Sequence, residues 1–322
     1  MREIVGRDGV GCHMRLHSAA ATGLLLAASV TCDRAPATLH RPKALAFDAA
    51  GHLLVAGSRG PAILVLEPDG RLLRTAAPHG LDRGDVWELV GLTGLPGGGF
   101  AVVDLRDPSV AEGGDSQSVI KLYDSRGAIR EVLGTGSLAL PSHGLIAGIG
   151  AIPGGFVLAE AAPGTLYFTD DAGRPRRKLR EVRGGPPLRS PESFRVVGDA
   201  LWVAETNAHR VRRLTLDGQQ TLSVGGEGRG PGQLRFPYAV DVSADGWFVV
   251  ADLGNYRLCR FDLEGRFLDS IYPEPVRADV AVQLVDVAVG PDGLIYAADS
   301  KGDRILVLRP DGTVVRVIHD LR

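Results

Sequence analysis

From about residue 43 the chain alternates short apolar runs with polar breaks that carry glycine, and it does so at a steady pace. Residues 225–268 show the unit most clearly. After a Gly-rich loop comes the apolar run 238–242, a break at Asp245-Gly246, and a second run, 247–251, that ends at Asp252. A polar stretch with Asn255 and Arg257 leads to a third run, 258–261, then a break at Glu264-Gly265 and a fourth run from Arg266. Runs this short, bounded by residues that accept φ > 0, predict strands joined by tight turns. The runs are almost continuously apolar, the pattern of strands covered on both faces. A four-stranded sheet with two apolar faces is not stable alone, so each unit needs neighbours on both sides. No long segment with a 3.6-residue period follows Val30, which predicts almost no helix.

The unit recurs six times. The second runs end at Gly57, Asp104, Glu160, Glu205, Asp252 and Asp299, and the last two intervals are both 47 residues. Residues 225–268 resemble an NHL repeat in the succession GPGQL, Pro237, Asp245-Gly246, then Asp252, Asn255, Arg257 and Phe261, then Glu264-Gly265 and Phe267-Leu268. The resemblance implies an all-β, six-bladed β-propeller of four-stranded antiparallel blades, and it is nearly silent on function. Residues 43–322 are assigned to the propeller. The last apolar run, 313–318, serves as the outer strand of blade six, so the ring is expected to close by packing without strand exchange. The alternative has residues 38–41 pairing with blade six.

Ahead of the propeller lie residues 1–32, an N-terminal extension and signal-like segment, and a Pro-containing tether, 33–42. Residues 14–17 are a short basic n-region and 19–30 an apolar h-region, too short to span a bilayer and of the length of a secretory signal. Translation from Met14 is the expectation that fits this reading. Cys32 stands where a bacterial lipoprotein would be acylated, although Ser29 and Thr31 depart from the usual residues; cleavage after Ser29, with Ala27 at −3, competes. The expected location is periplasmic or extracellular, with any membrane attachment through that lipid anchor alone. Three cysteines, two of them N-terminal, build no disulfide framework, and Cys259 reads as a small core residue.

Charge adds little. With 36 basic and 38 acidic residues, the chain gives no reason to expect nucleic acid as a partner. Three units share an acid-to-Arg spacing of five: Glu205 to Arg210, Asp252 to Arg257 and Asp299 to Arg304. Such pairs tie down a loop, or their arginines form an anion-binding ring; in the resembled family the pattern is mainly structural. Loops between second and third strands should share a face with the loops linking blades, and that face is the expected binding face. Its further candidates are Arg41, Trp87, Glu88, His143, Glu192, Phe236, Tyr238 and Gln283, each just before an innermost strand. The long polar insertion at 105–118 could cover the channel mouth.

These features point to a monomeric binding or scaffold protein for a protein, peptide or glycan partner, with no cofactor. The alternative is a divalent-metal-dependent hydrolase or lyase. Six-bladed relatives of the gluconolactonase type use Glu, Asn and Asp around a divalent ion. Glu160, Asn207 and Asp252 have those types, and each is equally explained by its repeat position. Amidating-lyase relatives use several histidines on zinc; here His143 and His209 alone lie near that face, without HxxxH or HExxH spacing. No GxSxG or P-loop is present.

Overall fold

The computed structural model describes residues 39–57, 63–77, 86, 89–105, 118–133, 146–275 and 280–319, together with the backbone of three short strands, Ile4–Val5, Gly11–Arg15 and Ser29–Cys32, which form their own antiparallel sheet. Everything else described is an all-β wheel. Six four-stranded antiparallel sheets follow one another, each built from consecutive strands in simple up-and-down order. The inner strands are Pro42–Phe47, Leu89–Gly94, Ile146–Ile152, Pro191–Val197, Pro237–Val242 and Leu284–Val289. Each inner strand lies beside the inner strand of the next blade, and the last lies beside the first. Among the described residues the helical content is two single 3₁₀ turns, Thr206–Ala208 and Leu253–Asn255.

The second strands end at Gly57, Leu105, Glu160, Glu205, Asp252 and Asp299, within one residue of the positions the sequence pattern marks. Those of blades three and five are buried along their whole length, as continuous apolar runs require. The outer strands are not: Pro175–Leu179 is exposed at four of five positions, with Leu179 turned inward. The buried apolar residues divide into six clusters, one at every seam between blades. At each seam the middle strands supply most of the side chains. In blade five the pair Phe248 and Phe261 stack at 5.1 Å between centroids.

The ring closes without strand exchange. Blades one and six each contain only their own four strands. Leu45, Leu53, Val55, Leu64 and Leu66 of blade one pack on Ala288, Tyr296, Ala298, Ile305, Val307 and Ile318 of blade six. The Tyr296 hydroxyl donates to the Pro68 carbonyl at 3.2 Å, and Arg316 donates to the same oxygen at 3.0 Å. Residues 39–41 are not in a strand; the Arg41 amide donates to Asp303 Oδ1 at 2.7 Å and so ties the start of the wheel to blade six. Among the described residues no helix is long and apolar enough to cross a membrane.

Candidate functional site

The acids that end the second strands do one job in three successive blades. Each offers one oxygen to an arginine and the other to a backbone amide of the loop entering the blade. Glu205 takes Arg210 Nε at 2.7 Å and the Arg189 amide at 2.7 Å. Asp252 takes Arg257 Nε at 2.8 Å and the Arg235 amide at 2.6 Å. Asp299 takes Arg304 Nε at 2.9 Å and the Gln283 amide at 2.9 Å. The carboxylates are fully buried or nearly so, where an unpaired charge would be costly and a paired one fixes geometry. This confirms that the second-to-third loops and the inter-blade loops share a face. It also places Arg210, Arg257 and Arg304 in ion pairs that hold the loops, with Arg257 itself buried.

A second repeat position completes this layer. Two residues past the acid's pairing partner in the third strand stand Lys121, Tyr167, Arg212 and Cys259 in blades two to five, each facing the acid of its own blade. Lys121 Nζ lies 2.9 Å from Asp104, the Tyr167 hydroxyl donates to Glu160 at 2.8 Å, and Arg212 Nε lies 2.5 Å from Glu205. The Cys259 thiol is 3.7 Å from Asp252. Burial, and then the bond to Glu160, pushes the Tyr167 hydroxyl up to about 12. Sequence spacing missed the pair in blade two because a longer loop separates Asp104 from Lys121, and the pair in blade three because the partner is a tyrosine and not an arginine.

The metal-ligand candidates therefore belong to separate blades. Glu160 is committed to Tyr167, Asp252 to Arg257, and the Asn207 amide donates to Ser190 Oγ at 2.6 Å. His209 Nδ1 accepts the Phe236 amide at 3.1 Å, and its ring packs edge-on to Phe236. Among the described residues no three of His, Cys, Asp or Glu come together as a metal-holding group. Trp87, Glu88 and His143, the insertion residues 106–117 and most of the h-region lie outside the described residues; of the Cys32 side chain nothing is stated.

What the inner strands enclose is more informative. In every one of them the pairing register slips by one residue just after its first residue, between Pro42 and Ala44, Leu89 and Gly91, Ile146 and Gly148, Pro191 and Ser193, Pro237 and Ala239, and Leu284 and Asp286. A bulge re-aims the extra side chain. Here the six extra residues are Lys43, Val90, Ala147, Glu192, Tyr238 and Val285, and all six line one cavity of about 620 Å³ at the channel mouth. Arg41 and Gln283 line it too. Arg41, Glu192, Tyr238 and Gln283 are thus gathered by the fold, whereas Lys43, Val90, Ala147 and Val285 were not legible as site residues. Burial raises the Glu192 carboxyl above its ordinary value. It also raises the Tyr238 hydroxyl, with help from the negative charges of Glu192 and Asp286.

Below this cavity a charged cluster crosses the channel. Arg195 of blade four reaches Asp286 of blade six at 3.1 Å and the carbonyls of Leu45 and Val287, each at 3.1 Å. Its Nε lies 3.7 Å from Asp241 of blade five. Asp286 also accepts the Leu45 amide at 2.7 Å, and Asp241 the Val289 amide at 2.7 Å. Burial raises both carboxyls, and Arg195 opposes the rise. Beyond the cluster a smaller cavity of about 350 Å³ opens to the opposite face, lined by residues such as Phe47, Thr93 and Val289.

No family model matches the sequence, and no curated protein matches it. Solved structures do resemble it. One is a protein of unknown function from Bacteroides thetaiotaomicron, with TM-score 0.61 and 14% identity over 84% of this chain and 70% of that one. Another is a catalytically inactive virginiamycin B lyase from Staphylococcus aureus with quinupristin, at TM-score 0.56 and 15% identity over 88% and 85%. A third, from a nidogen/laminin complex, matches at TM-score 0.56 and 12% identity over 86% and 93%. At such identities the likeness shows the propeller fold and nothing finer.

Proposed function

We propose that this wheel is a binding protein that recognises a protein or peptide partner at the channel mouth on its loop-bearing face. One observation carries the reading. The cavity of about 620 Å³ is lined by six side chains that occupy a single repeat position yet range from basic Lys43 and acidic Glu192 through aromatic Tyr238 to aliphatic Val90, Ala147 and Val285. Its volume lies in the range of ordinary ligand sites, ~300–1,000 Å³. The repeat-conserving positions around it are engaged in holding loops, so the bulged ring is where blades are free to differ. Among the solved neighbours, one was determined in a protein–protein complex, which fits a propeller used for docking.

The finer identity is part of the same proposal. The GPGQL-to-Phe267 succession supports blades of the NHL type. The basic residues before an apolar run at 19–30 support export, and Cys32 supports a lipid anchor in the bacterial envelope. Intact-mass analysis of protein expressed in a bacterial host, before and after hydroxylamine and lipase treatment, decides between acylation at Cys32 and cleavage after Ser29.

The binding reading is tested by probing an array of glycans and of peptides tethered through a lysine side chain, so that both termini stay free, with the full chain and with its Tyr238→Ala variant. The expected result is a set of peptide spots that the variant loses. Spots retained at full strength by the variant contradict a site at the mouth, and glycan spots in place of peptides would assign the same mouth to sugars.

A further inference from the structure

The six bulged residues are not arranged at random around the ring. Blade one stands opposite blade four, two opposite five, and three opposite six, since the inner strands follow one another in chain order around the channel. Lys43 therefore faces Glu192 across the mouth, Val90 faces Tyr238, and Ala147 faces Val285. One pole is cationic and reinforced by Arg41, the opposite pole is anionic, and the bulged side chains between are apolar or aromatic, with Gln283 and Ser300 of blade six the polar groups beside them.

The two poles do not satisfy each other. Among the described residues Glu192 forms no ion pair or hydrogen bond with Lys43 or Arg41, and burial disfavours its charge. The negative charge beneath, on Asp286, is already met by Arg195. The width of the channel is also set by that arginine: from blade four its guanidinium reaches the Leu45 carbonyl of blade one. At that depth the lumen is one arginine side chain wide, and Lys43 and Glu192 sit two and three residues nearer the mouth than Leu45 and Arg195. A ligand that bridges them is thus a few residues long, about 10 Å between charged ends for three extended residues.

We infer that the mouth is a dipolar clamp for a short peptide with both termini free, its carboxylate held by Lys43 and Arg41, its ammonium by Glu192, and its apolar side chains against Val90, Ala147, Tyr238 and Val285. This deepens the peptide-binding reading and rests on it. Each ion pair forms in a partly desolvated cavity, where charges interact more strongly than in water. A peptide with one blocked end leaves one pole unmet, and the site discriminates by that penalty.

The test is isothermal titration of the full chain with the tripeptide Ala-Leu-Ala in free, N-acetylated, C-amidated and doubly blocked forms. The free peptide should saturate the site, and each single block should weaken binding by about tenfold or more, roughly the loss of one charge-assisted contact. In Glu192→Gln the acetylation penalty should vanish while the amidation penalty stays. In Lys43→Met, with Arg41 still in place, the amidation penalty should shrink while the acetylation penalty stays. Equal binding of free and doubly blocked peptide, penalties unchanged in both variants, or no saturable heat with any form at about 1 mM would each overturn the clamp. The failures are separable: if array peptides still bind and still depend on Tyr238, the clamp is wrong and the mouth remains the binding site. If no array signal depends on Tyr238, both fall.

Discussion

Arg195 shows how much a single residue can decide in this channel. Its guanidinium lies between buried Asp286 and half-buried Asp241, and a fifth of its side chain still faces the lumen. Removing it leaves Asp241 and Asp286 facing each other, with Glu192 and Tyr238 the next titratable groups above them. Arg195→Met should therefore cost about 3–5 kcal/mol at neutral pH, the range for breaking one side of a buried pair. The sign of the pH dependence follows from the raised carboxyls. Without the counter-charge their folded values rise further, so their protonated forms favour folding, and that contribution is present at low pH and lost as pH rises. Urea midpoints should show a smaller gap between variant and wild type at about pH 4.5 than at about pH 7.5. A gap that is constant or larger in acid contradicts the assignment. At this scale the sequence was only partly legible. Glu192 and Tyr238 stood out because each lies where an inter-blade loop enters an inner strand. Arg195, Asp241 and Asp286 interrupt apolar runs and offered a signal, but only closure of the ring shows that three different blades point them at one another.

Turns and bulges make the blades fit, and here sequence and structure agree for a definite physical reason. The glycine of each third-to-fourth hairpin packs on the outer strand of the preceding blade at five seams: Gly70 on Ile318, Gly127 on Ala76, Gly218 on Leu179, Gly265 on Leu222 and Val224, and Gly312 on Ile271. Gly246 and Gly265 share φ +85°, but a Cβ at 246 would meet nothing, while one at 265 would lie 2.7 Å from Val224. Gly246→Ala should cost about 1–2 kcal/mol from the left-handed backbone alone. Gly265→Ala should cost about 1–3 kcal/mol more, from the clash with blade four. Equal losses in thermal or urea unfolding would mean that this glycine serves its turn and not the seam. The hairpins were readable because glycine punctuates them in the sequence. The inner-strand bulges were not, because a bulge carries no fixed residue type: its place is taken by Lys43, Ala147, Glu192, Tyr238 and, twice, by valine, at Val90 and Val285.

The whole molecule holds together as a ring of six similar seams, and the seam joining its two ends is built like the others. Ile318 at that seam meets Gly70 as Ile271 meets Gly312 between blades five and six. Both isoleucines are buried at the end of an outer strand. Ile318→Ala and Ile271→Ala should thus each cost about 2–4 kcal/mol and agree within about 1 kcal/mol. A far smaller loss at Ile318 would show a wheel that opens at its closure. That six units close into a wheel was legible from the repeat spacing, the apolar faces and the resemblance to an NHL repeat taken together, since sheets with two apolar faces need two neighbours each. The proposed site at the mouth was not, because the residues that line it are those by which the blades differ.

The most direct measurement of the central claim is the rate of thiol labelling at the two ends of the channel. Ser193→Cys reports the large cavity and Thr93→Cys the small one, in a chain with Cys12 and Cys32 replaced by serine. Cys259 is buried, which pushes its thiol up to about 12, so it stays silent in the folded protein. With the tightest peptide from the array bound, labelling at position 193 should slow while labelling at position 93 is unchanged. Protection at 93, or at neither position, would contradict a ligand seated at the loop-bearing mouth.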